Sequence, residues 1–224
     1  MRKVFVVLAA ILIGTWVGSA APQCLEATMA DYVALGAEGC QIGDKIFSNF
    51  TYTGSSGGGA SAVLAAGLSV VPYFTPLNPG FMFSGAWLVL TGETQDSHIT
   101  YQVVVTGGGF PIHDISAELS GQYAQGSALV AVAEDVQPGN LSLGLLWGVG
   151  SQVWQDGVSF NPTMGPLFVS KDILLRGGAG PGSWAMVSGV FNRFSETGVP
   201  EPLTLLLMGS GLLGLGALRW RKKS

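Results

Sequence analysis

From residue 61 to residue 194, short runs of apolar or alternating apolar and polar residues recur, each closed by glycine or proline. The runs predict strands over 61–71, 80–90, 98–106, 112–120, 127–134, 141–147, 152–160, 167–175 and 184–194. Breaks fall at Pro72, Pro76, Asn78-Pro79-Gly80, Gly107-Gly108-Gly109, Gly121, Pro138-Gly139-Asn140, Asn161-Pro162 and Gly177-Gly178. No helical period is sustained here, and the uneven spacing fits no known repeat. Many short strands with this punctuation predict an all-β body, a β-sandwich or a jelly-roll-like barrel.

Upstream, residues 28–35 suit a short helix or helical turn. The stretch 41–53 is rich in aromatic and β-branched residues and reads as a strand. Phe47 and Phe50 are three apart, whereas Phe50 and Tyr52 alternate, so a bulge or bend is expected near Ser48-Asn49. Residues 54–59, Gly-Ser-Ser-Gly-Gly-Gly, read as a flexible turn. With no lysine or helix cap after it, this turn is not a phosphate loop.

Composition changes the picture once it is split along the chain. The 224 residues include 34 glycines, two cysteines and only 24 charged side chains, with a net charge of −4. Mean hydropathy is +0.44. Six of the ten basic residues lie at the two ends, Arg2 and Lys3 at one and Arg219, Arg221, Lys222 and Lys223 at the other. The middle holds four basic and thirteen acidic residues, a net of −9. That balance argues against nucleic-acid binding, which needs clustered Lys and Arg.

The ends read as targeting segments. Arg2 and Lys3 precede an apolar run over 4–17 and the small residues Gly18-Ser19-Ala20-Ala21, the pattern of a signal peptide over 1–20. Residues 21–194 form the expected folded body, and 195–202 a linker ending in Pro200-Glu201-Pro202. Residues 203–218 form a largely apolar run of about 24 Å as a helix, a short transmembrane segment. The basic tail 219–224 (Arg219, Arg221, Lys222, Lys223) is expected to stay cytoplasmic, leaving the acidic body outside. In that exported setting Cys24 and Cys40 are expected to form a disulfide.

The order Pro200-Glu201-Pro202, Gly-rich apolar run and Arg/Lys tail, with Thr204 two residues after the second proline, resembles the PEP-CTERM sorting signal. The string Cys40-x-x-Gly43-Asp44-Lys45-x-Phe47-Ser48-x-Phe50-x-Tyr52 resembles one in a group of PEP-CTERM proteins of unassigned activity. The resemblance implies an exosortase substrate in a Gram-negative bacterium that makes exopolysaccharide. It implies recognition of Pro200, Glu201 and Pro202 by that membrane enzyme, removal of the tail, and delivery to the outer surface or matrix. Leu203, Met208 and Trp220 depart from the usual pattern.

Candidate chemistry in the body is sparse. His98 and His113 are the only histidines, each near an aspartate (Asp96, Asp114), and neither lies in a zinc or nucleophile motif. No catalytic residue, metal or cofactor is expected, and an extracellular hydrolase is the weakest alternative. Glu134-Asp135 and Asp156 offer oxygens to a calcium ion, but solvated turn chemistry is the preferred reading. Asp44, Lys45 and Asn49 read either as a ligand-contacting edge or, preferably, as part of a tethered first strand. Trp87 and Trp184 sit in apolar runs and are expected in the core. Trp154, among Gln152, Gln155 and Asp156, is the candidate glycan contact. Together with the sparse chemistry of the body, the resemblance implies a structural, exopolysaccharide-associated surface protein, with a carbohydrate-binding module as the alternative.

Overall fold

The computed structural model describes residues 21–196. In chain order its elements are β1 (Ala27–Thr28), α1 (Met29–Ala34), β2 (Cys40–Ile42), β3 (Lys45–Gly57), β4 (Ser69–Tyr73), β5 (Gly80–Val89), β6 (Thr94–Val105) and β7 (Ile112–Ser120). There follow β8 (Tyr123–Gln125), β9 (Leu129–Gln137), β10 (Leu141–Gly148), β11 (Ser151–Val153), β12 (Gln155–Thr163), β13 (Leu167–Arg176) and β14 (Trp184–Glu196). The signal peptide, Pro200-Glu201-Pro202, the apolar run 203–218 and the basic tail lie outside the described residues. Among the described residues no helix is long and apolar enough to cross a membrane.

The strands form two antiparallel sheets. The first has the order β11-β10-β9-β13-β6-β3-β2; the second has β1-β4-β5-β14-β7-β12, with β8 also pairing with β14. The chain crosses repeatedly between them, so sequence neighbours such as β5 and β6 often face each other instead of pairing. An all-β body of stacked antiparallel sheets is what the strand pattern predicted.

Alternation explains why the sheets stack. In β13 the residues Leu167, Val169, Ile173 and Leu175 are buried, while Phe168 and Arg176 are exposed. The same period in β9 buries Val130, Val132 and Val136. Aromatics join the two inner faces: Phe47 of β3 meets Phe81 of β5 edge-on at 4.7 Å and Phe194 of β14 at 5.5 Å. Phe50 stacks on Tyr101 of β6 at 5.3 Å. Trp87 is buried as expected, and its indole nitrogen donates to Ser97 Oγ across the sheets at 3.0 Å.

The start of the body is pinned by the expected Cys24–Cys40 disulfide. Helix α1 begins on a capping box, in which Thr28 and Asp31 each accept from the other's backbone. Gly39 lies at φ +62°, and a Cβ there would meet the Phe47 carbonyl oxygen at 2.1 Å, so only glycine fits this approach to β3.

Several elements differ from the sequence reading. Residues 61–64 belong to no strand, and a 3-10 turn at Ala65–Gly67 precedes β4. Side chains satisfy acceptors in this segment: Gln95 donates to the Ser61 carbonyl at 2.6 Å and Tyr52 to that of Val63 at 2.7 Å. The Gly/Ser stretch 54–59 is not a turn throughout. Strand β3 continues to Gly57 because β6 pairs with it residue by residue, and the turn is confined to Gly58-Gly59. The run 152–160 splits at Trp154, where the chain passes from the first sheet to the second. Strand β14 runs to Glu196, two residues into the segment read as linker.

Candidate functional site

The outer face of the first sheet carries ordered rows of polar side chains. Antiparallel register sets its rows. Asp135, Ser170, Thr100 and Thr51 form one row across β9, β13, β6 and β3. Gln137, Phe168 and Gln102 form the next row on one side. Asp172, His98 and Thr53 form the next on the other. Because side chains alternate, the core residues Ile99, Tyr101 and Val103 force His98, Thr100 and Gln102 outward.

The expected bulge lies in β3. Ser48 pairs with Gln102 and Thr51 with Thr100, so β3 carries one extra residue there. Asn49 adopts φ +56°, a left-handed conformation that asparagine tolerates. The bulge aims Asn49 across the face, where its amide donates to Gln102 Oε1 at 2.9 Å. Thr51 and Thr100 hydroxyls meet at 2.6 Å, and His98 Nε2 lies 2.9 Å from Ser170 Oγ.

These residues border a groove of about 390 Å³ lined by Asn49, Thr100, Gln102, Asp135, Gln137, Phe168 and Ser170 among others. Phe168 is 51% exposed, an aromatic surface surrounded by amides and hydroxyls. An aromatic face flanked by hydrogen-bonding groups can stack on the apolar face of a sugar ring and bond its hydroxyl rim. Sequence reasoning missed Phe168 because it sits in the apolar string Leu167-Phe168-Val169. The signal was the outward set of β13, which reads Phe168, Ser170, Asp172, Leu174, Arg176.

Beside the groove, Asp172 and Asp96 lie close together. Burial, then the hydrogen bond and charge of Asp96, raise the Asp172 pKa above the ordinary carboxylate value, and His98 opposes the rise. Asp96 Oδ1 is buried with no hydrogen-bond partner among the described residues.

The other sequence candidates are dispersed. Trp154 is 41% exposed, as expected of a surface residue, but it sits beyond β11 at the sheet edge. Two strand spacings, about 10 Å, separate β11 from β9, the nearest strand of the groove, and Trp154 is not among the groove's lining residues. Trp184 is not in the core: it is half-buried, stacks on exposed Tyr123 at 4.5 Å and donates to Gln125 Oε1 at 2.9 Å. Asn49 is separated from Asp44 and Lys45. Lys45 is fully buried and ion-paired with Glu196 and, at 2.8 Å, with Asp44. Asp44 and Glu196 border a larger, mostly apolar cavity of about 590 Å³ with Phe74, Leu77 and Phe110.

Glu134 departs furthest from its reading as a solvated turn residue or calcium ligand. It is fully buried and ion-paired with Lys171. Asp156 accepts from the Gly144 and Gly157 backbone amides at 2.8 and 2.9 Å. Among the described residues no three His, Cys, Asp or Glu side chains converge as metal ligands. His98 and His113 lie in different sheets. His113 binds the Ser195 carbonyl and Asp114, each at 3.1 Å.

No protein-family model matches the chain. No curated protein matches it either. Among solved structures, TmCBM61 in complex with β-1,4-galactotriose is similar at 10% identity and a TM-score of 0.31, over 66% of this chain and 90% of that one. The enzymatically active domain of bacteriophage CBA120 tailspike protein 4 is similar at 15% identity and a TM-score of 0.27, over 66% of this chain and 19% of that one. At these scores neither likeness bears on the ligand.

Proposed function

We propose that the chain is an exported surface or matrix protein whose β body binds a polysaccharide along the outer face of its first sheet, without catalysis. The observation that carries this reading is half-exposed Phe168 in a groove edged by Asn49, Gln102, Thr100, Ser170 and Gln137. The ligand class is a largely neutral glycan, because amides and hydroxyls dominate the groove and its one carboxylate, Asp135, disfavours an anionic chain. Delivery is assigned to the Pro200-Glu201-Pro202 signal, with an exosortase-type membrane enzyme as processing partner and the inner membrane as transient anchor. Mass spectrometry of the exported protein tests delivery: residues 203–224 should be absent when an exosortase is present, and their retention would contradict it. Retention of the purified body on a panel of immobilised extracellular polysaccharides tests binding. Retention should be lost on Phe168→Ala and kept on Trp154→Ala; no retention on any glycan would sink the reading.

A further inference from the structure

Four polar side chains meet in the core between the sheets. Lys171 of β13 and Glu134 of β9 are register partners, and both are fully buried. Glu134 Oε2 accepts from Lys171 Nζ, while its Oε1 accepts from Asn192 Nδ2 of β14 at 3.0 Å. The Asn192 nitrogen also donates to the Ser116 carbonyl at 3.2 Å. On the other side of the same amide, Tyr101 OH donates to Asn192 Oδ1 at 2.6 Å. Phe47, Phe81, Phe83 and Phe194 contact the Tyr101 ring. One carboxylate thus holds an amine from one sheet beside an amide from the other, in a core from which water is excluded.

The cluster gathers the groups that acyl transfer to an amine requires, with Lys171 and Asn192 on opposite oxygens of Glu134. The amine is the nucleophile and the Asn192 amide carbon the electrophile. The Tyr101 hydroxyl already hydrogen-bonds the oxygen on which negative charge would develop. Burial, and then the charge of Glu134, hold the Tyr101 hydroxyl well above its usual pKa, so it remains a donor. Glu134 touches both nitrogens between which protons must move, the geometry required of a shuttle.

We propose that Lys171 and Asn192 join through an intramolecular isopeptide bond, formed after folding, with Glu134 as the catalytic residue. A proton leaves Lys171 Nζ for Glu134 Oε2, freeing the amine. Nζ then attacks Asn192 Cγ while Tyr101 steadies the charge on Oδ1. Glu134 gives its proton to Nδ2 and takes a second one from Nζ, the Cγ–Nδ2 bond breaks, and ammonia leaves. The Nζ–Cγ bond remains, and Glu134 ends as a neutral acid. The reaction needs no oxidant and no co-reactant. It replaces a buried ion pair, which is costly to desolvate, with neutral groups and joins β13 to β14 covalently across the sandwich. A surface protein exposed to shear and proteases would gain a tie that reductants do not break.

Mass spectrometry of the full chain as exported tests this directly. After disulfide reduction the protein should weigh one ammonia less than its processed sequence, and proteolysis should release a branched peptide joining the segments of Lys171 and Asn192. Glu134→Gln should restore the full mass and two separate peptides. Wild-type protein of full mass, cut by trypsin at Lys171 like any lysine, would overturn the proposal. So would ammonia loss mapped elsewhere with Lys171 unmodified. The wild-type measurement decides the matter even where Glu134→Gln fails to fold.

Discussion

Tyr101 OH donates to Asn192 Oδ1 over 2.6 Å, joining β6 of the first sheet to β14 of the second inside an aromatic core. The bond is expected to matter for stability and not for ligand affinity, because Tyr101 borders the groove but its hydroxyl points into the core, while the Thr100 and Gln102 side chains face outward. Tyr101→Phe leaves a buried acceptor without its donor, a loss of about 1–3 kcal/mol between samples in the same state of the Lys171–Asn192 linkage. Urea unfolding should record it, and glycan affinity should stay at the wild-type value.

The Asp96–Asp172 pair predicts a pH dependence. The Asp172 pKa is raised in the folded state, so this group's contribution favours folding at acid pH and is lost as pH rises through the folded value. Asp172→Asn keeps the shape, removes the titration and can donate to Asp96. The variant should have a higher Tm than wild type at neutral pH and little advantage below the carboxylate range. An equal gain at both pH values would contradict the assignment.

The buried Lys45 clamps the end of β14 through Glu196 and the β2–β3 turn through Asp44. Lys45→Met should cost about 3–5 kcal/mol, because Glu196 is left buried without its partner. Lys45→Met with Glu196→Gln should recover much of that loss in the same denaturation assay. Failure of the second substitution to help would show that Lys45 acts by packing alone.

Cys24 and Cys40 close a short loop around α1. Replacing both with serine should lower stability by about 3 kcal/mol, since the unfolded chain regains loop freedom. Thermal unfolding with and without reductant checks this: reductant should lower the Tm of the wild type toward that of the double variant, which should itself be insensitive.

Much of this architecture was legible in alternation. Strand β7 occupies the predicted 112–120, and the Ser48-Asn49 parity change marked the bulge that orients Asn49. The buried polar network was legible too, in the parity of its residues. Val130-x-Val132-x-Glu134-x-Val136, Val169-x-Lys171-x-Ile173 and Val190-x-Asn192-x-Phe194 each place one polar residue on the inward parity. Read by residue type, Glu134 went to solvent; read by parity, it belongs inside. Glycines at 54 and 57 pointed to a turn because local propensity carried no information about β6 beside them. The convergence of Phe168, Gln137, Gln102 and Asn49 depends on the pairing order β9-β13-β6-β3, which the linear sequence does not display.

Titration calorimetry of the purified body with soluble neutral polysaccharides, comparing wild type, Phe168→Ala and Trp154→Ala, locates the binding surface. Wild type and Trp154→Ala should bind alike, and Phe168→Ala should bind about tenfold more weakly, a loss of about 1.4 kcal/mol of stacking. Unchanged affinity in Phe168→Ala, or loss in Trp154→Ala alone, would contradict the assignment of the first sheet's outer face as the binding surface.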